Sequence, residues 1–140
     1  MAGNSTPIFG KVGKIGIAQL GAAVTGADLT SAGLIFSADA TNGSVVNEVR
    51  VKYLPGTTTA ATAFRIWVNN NGTLSTTTNN ALITEITIPI ITTSQVAATP
   101  DYVIPMTRGG LVLPPSYRLY ATIGTYSTGT FIVSAYGGDY

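Results

Sequence analysis

The chain has 140 residues, enough for one domain whose core needs no disulfide or metal. It contains no histidine and no cysteine, and its seven cations and six carboxylates leave a net charge of +1. That removes the commonest general base, the thiol nucleophile and the usual zinc ligands. It also leaves no broad field to draw in nucleic acid or anionic lipid.

Charged residues make up 9% of the chain and apolar residues 45%, where an ordinary soluble domain has about 25% charged. A surface this poor in charge points to cover by further copies or by a partner.

In chain order, residues 1–13 read as an irregular arm, with Gly3, Pro7, Gly10 and Gly13 around an isolated Ile8-Phe9 pair. The arm is expected to dock that pair on a neighbour and otherwise to fray. Residues 14–140 form the domain. Ile15–Val24, after Lys11 and Lys14, faintly imitates a secretory signal, but Gly16, Gln19 and Gly21 interrupt it. Ile15–Leu20 is therefore read as a strand. No run reaches the roughly 18 apolar residues of a membrane span.

Beyond that point the period is two. Val49–Tyr53 alternates apolar residues with Arg50 and Lys52. Phe64–Val68 places Phe64, Ile66 and Val68 on one face. Tyr117–Ile123 and Phe131–Tyr136 repeat the pattern, and Leu34–Ser37, Leu82–Ile88 and Tyr102–Met106 are weaker cases. Alternation of this kind marks antiparallel strands with one buried face.

Asn42-Gly43, Pro55-Gly56, Asn71-Gly72, Gly109-Gly110 and Gly137-Gly138 punctuate the runs as turns. Two polar loops, Pro55–Thr62 and Asn69–Asn80, are long. No window carries a helical period. The expected fold is an all-β, single-domain antiparallel β-sandwich, most simply a jelly roll, with an immunoglobulin-like sandwich as the competitor.

Chemical constellations are sparse. Glu48 and Glu85 fall on predicted strands, where pairing with Arg50, Lys52 or Arg65 explains them more simply than a glycosidase dyad. Asp28 and Asp39 are too far apart in sequence for a calcium loop. No Ser-x-x-Lys or phosphate-binding loop is present. No catalytic, cofactor or metal residue is assigned, and no enzymatic activity is expected. Three Asn-x-Ser/Thr matches, at Asn4, Asn42 and Asn71, are at the level of chance in so Asn/Thr-rich a chain.

Trp67, Tyr120 and Tyr136 lie on the second faces of their strands. If those faces are open, the three rings are candidate interface anchors together with Ile8 and Phe9. If the faces are covered, the rings are simply packed.

Gly110-Leu111-Val112-Leu113-Pro114-Pro115-Ser116-Tyr117-Arg118-Leu119-Tyr120-Ala121 and the terminal Ala135-Tyr136-Gly137-Gly138-Asp139-Tyr140 resemble small proteins encoded in tailed-bacteriophage genomes. Thr6–Phe9, Asn42-Gly43-Ser44, Val49–Lys52 and Phe64–Asn70 fit the same family, so the likeness touches most of the chain. The resemblance implies a virion structural component: a capsid decoration (cement) protein on the capsid surface, trimeric, clamping subunits of the major capsid protein. It carries no catalytic residues, and neither nucleic acid nor membrane is an expected partner. A carbohydrate- or receptor-binding module of a tail or fibre, and a head–tail or tail subunit, are the alternatives.

Overall fold

The alternating runs become strands because their β-branched and aromatic residues bury one face while polar neighbours stay wet. The computed structural model describes residues 12–54, 60–126 and 129–140. Its strands are β1 (Val12–Leu20), β2 (Gly33–Ser37), β3 (Ser44–Tyr53), β4 (Thr62–Asn69), β5 (Asn80–Ile88), β6 (Asp101–Pro105), β7 (Leu111–Leu113), β8 (Arg118–Ile123) and β9 (Phe131–Asp139). Among the described residues the sole helical element is the single 3-10 turn Thr77–Asn79.

Two sheets result. The first has the order β1-β9-β3-β6, with β7 pairing a further stretch of β3; the second has the order β2-β8-β4-β5. Every named pair is antiparallel. Val46, Val49, Val51, Val133 and Ala135 of the first sheet and Ile35, Phe36, Phe64, Ile66, Leu119 and Ile123 of the second form one buried cluster. The architecture is a β-sandwich whose main apolar core lies between the two sheets. Tyr53 and Phe131 close one end of it edge to face, with ring centroids 4.9 Å apart, worth about 0.5–1.5 kcal/mol beyond their burial.

Three details differ from the sequence reading. Val12 and Gly13, counted with the arm, open β1 and pair with Asp139 and Gly138. Gly137 and Gly138, read as a turn, lie inside β9, a central strand flanked by β1 and β3. A Cβ on Gly137 would overlap the Val45 carbonyl, so the glycine serves a close strand approach beside the register shift between Val46 and Glu48. Strand β7 was not foreseen, because its three residues, framed by Gly109-Gly110 and Pro114-Pro115, are too short to show a period.

Asn42-Gly43 does form a turn. Gly43 has φ of +77°, and a Cβ there would overlap the Leu113 carbonyl.

Candidate interaction surfaces

The second sheet does not present Trp67 to solvent. After β1 the chain reaches β8, where the Val24 N–H donates to the Ile123 carbonyl at 2.8 Å. Residues 25–32 then run down the outer surface of the second sheet as a strap. Leu29 of the strap seats against Trp67 and Tyr120, which keep 8% and 5% of their surface exposed. Ala27, Ala32 and Leu74 complete this second, smaller core.

Polar bonds hold the strap down. Asn80 Nδ2 donates to the Ala27 and Leu74 carbonyls at 2.7 and 2.8 Å, and Asn69 Nδ2 donates to Asn80 Oδ1 at 2.7 Å. The Trp67 Nε1–H is satisfied by Thr122 Oγ1 at 3.0 Å. Two of the foreseen interface anchors are thus packed inside the subunit. The missed signal was Ala27-Asp28-Leu29, whose one large apolar side chain sits in a stretch without strand period.

The first sheet keeps its outer face open. Tyr136 is half-buried there, with the Arg50 guanidinium carbon 5.6 Å from its ring centroid. Arg50 Nε donates to Glu48 Oε1 at 2.7 Å and Nη1 to Asp101 Oδ2 at 3.4 Å. The pairing with Glu48, above all its hydrogen bond, raises the Arg50 pKa above its ordinary value. Beside Tyr136 on β1 stand Ile15 and Ile17, 62% and 69% exposed.

Glu48 and Glu85 are on different sheets and face no common cleft. Glu85 pairs with Arg65 at 2.9 Å directly across β5 and β4, as expected for a cross-strand ion pair. Among the described residues no group of three or more metal-ligating side chains converges, and no helix is long and apolar enough to cross a membrane.

The two ends of the sandwich differ in charge. At one end Lys14 bridges Asp139 at 3.2 Å and donates to the Ser37 carbonyl at 2.6 Å, while Ser44 donates to the same Asp139. Asp39 caps the adjoining turn and accepts from the Asn42 and Thr41 N–H groups. Those backbone bonds, Asn42 first, hold its pKa below the ordinary value.

At the opposite end, among the described residues, the stretches 21–24, 54 with 60–61, 89–100, and 124–126 with 129–130 contain no charged residue. Leu54, Ile90 and Tyr126 are exposed there, and Val96 keeps 97% of its surface open. Ile8 and Phe9 lie outside the described residues.

No family model matches the chain, and no curated protein matches it. Among solved structures, the chain is similar to a chain of the cyanophage Pam1 capsid asymmetric unit. The identity is 12% and the TM-score 0.37, over 97% of this chain and 92% of that one. This likeness is too loose to fix fold or role.

Proposed function

We propose that this protein is a structural component of a tailed-phage virion: a decoration protein that sits on the outer surface of the major capsid protein shell as a homotrimer. The observation that carries the reading is the uncharged end of the sandwich. A free monomer gains nothing from four segments without a charge and with Leu54, Ile90, Val96 and Tyr126 in water. Seated on a shell, the same surface buries apolar area and strands no ion.

The resemblance, which touches most of the chain and is strongest from Asn42 onward, supports the same reading. So does the strand order, which we take as a jelly roll. The first strand lies beside the last and the second beside β8, as when a long hairpin winds on itself, with β6 and β7 sharing one edge position. Self-association is assigned to Ile15 and Ile17, an aliphatic pair on an edge strand that a cyclic assembly closes off without open-ended growth.

Co-sedimentation with purified capsids tests the role. Ile90→Asp/Val96→Asp should release the protein while its circular dichroism stays native. Ile15→Asp/Ile17→Asp should turn a trimer into a monomer in analytical ultracentrifugation. Retention of the Ile90→Asp/Val96→Asp double variant on capsids would remove the uncharged end from the contact. A wild-type monomer at every concentration would defeat the trimer.

A further inference from the structure

We infer that the open face of the first sheet carries a binding site for a neutral saccharide. The site lies on the sheet face where it adjoins the uncharged end. A depression of about 250 Å³ lies over β9, β3 and β6, lined by Arg50, Lys52, Tyr53, Asp101, Ile132, Ser134 and Tyr136. The register explains why these residues meet. Ile132, Lys52 and Asp101 stand side by side across the three strands, and Ser134 and Arg50 form the next row.

The chemistry of the lining selects the ligand. Arg50, Lys52 and Asp101 of the lining carry a net charge of +1, and Glu48, which pairs with Arg50 beside the depression, brings the patch to zero, so neither an anion nor a cation is favoured at long range. The Arg50 guanidinium is already pinned between Glu48, Asp101 and the Tyr136 ring. A pinned fork costs little entropy when it meets a ligand.

Asp101 receives Arg50 through Oδ2 alone. Lys52 has no carboxylate within ion-pair distance among the described residues. A carboxylate acceptor beside an ammonium donor matches adjacent hydroxyls, because each hydroxyl both donates and accepts. Ile132 and the Tyr136 ring supply apolar surface for the C–H side of a sugar ring. The volume suits one such ring, with the chain extending into solvent at either side.

The test is titration of the full chain, followed by amide NMR shifts, with methyl glycosides of glucose, galactose, mannose and N-acetylglucosamine. Glucuronate serves as the charged control. At least one neutral glycoside should give saturable shifts confined to Arg50, Lys52, Tyr53, Asp101, Ile132, Ser134 and Tyr136.

Asp101→Asn and Lys52→Met should each weaken that binding by roughly tenfold, the loss of one charge-assisted hydrogen bond. Their spectra should otherwise stay native, since both side chains are at the surface. Raised salt should leave the affinity unchanged. Three results would overturn the proposal: no saturable shift with any neutral glycoside, tighter binding of glucuronate than of methyl glucoside, or undiminished affinity in Asp101→Asn.

Discussion

The two outer faces of the sandwich have the same kind of sequence and opposite fates. On the second sheet, Trp67 and Tyr120 are sealed beneath Leu29 and become a second core. On the first sheet, Tyr136 and Ile132 look out over Arg50, Lys52 and Asp101. Aromatic residues at outward positions thus say only that a strand has something to cover or something to offer. Which of the two holds depends on a connection elsewhere in the chain, here the strap of residues 25–32.

The largest expected effect breaks the covered face. Trp67→Ala should cost about 3–5 kcal/mol of stability, as for other buried large-to-small changes, whereas Tyr136→Ala should cost under about 1 kcal/mol. Urea denaturation of the two variants makes the comparison directly. Equal midpoints would mean that the faces are not different in kind.

Next in size, Leu29→Ala should cost about 2–4 kcal/mol through the cavity it leaves. Trp67 emission should move to longer wavelength as water reaches the ring; unchanged emission would show that the strap does not seal it. Asn80→Ala comes third, at about 1–3 kcal/mol, because it leaves the Ala27 carbonyl without its Asn80 donor and the Leu74 carbonyl with the Leu29 N–H as its remaining donor. Hydrogen exchange should quicken at the Leu29 amide, which donates to Leu74, and leave β9 protected.

The smallest effect is one of pH. Asp28 on the strap accepts from Thr30 Oγ1 at 2.6 Å and Thr30 N–H at 2.9 Å, and these bonds, the hydroxyl's first, depress its pKa. Its stabilising contribution is therefore complete above the ordinary carboxylate value of about 3.9. It is lost as the pH falls through the depressed folded value. Acid titration followed by Trp67 emission should show a small change in that window, absent in Asp28→Asn.

Much of the framework was legible along the chain. Val49–Tyr53, Phe64–Val68 and Phe131–Tyr136 proclaim their strands because alternation over five or six residues leaves only one face apolar. The Arg65–Glu85 pair was legible for the same reason: outward charges on neighbouring strands find each other. Gly137-Gly138 was misread because glycine signals both a turn and a close backbone approach, and only the neighbouring Val45 carbonyl separates the two.

The candidate surfaces were less legible. Of the named aromatics, Tyr136 stays at an open face, while Trp67 and Tyr120 do not. The uncharged end draws on four segments that are far apart in sequence and become neighbours only when the strands pair.

Local pattern by itself determined that this chain makes antiparallel strands, that it lacks the side chains of common catalysis, and that its surface would be short of charge. Those are properties of composition and of the two-residue repeat, and no contact is needed to read them. The tertiary structure decided which outward face is covered, where the charges gather, and which loops share an end. Each of these depends on contacts between segments distant in sequence, above all Leu29 on Trp67 and Asp101 beside Lys52, and a repeat of period two carries no information about them.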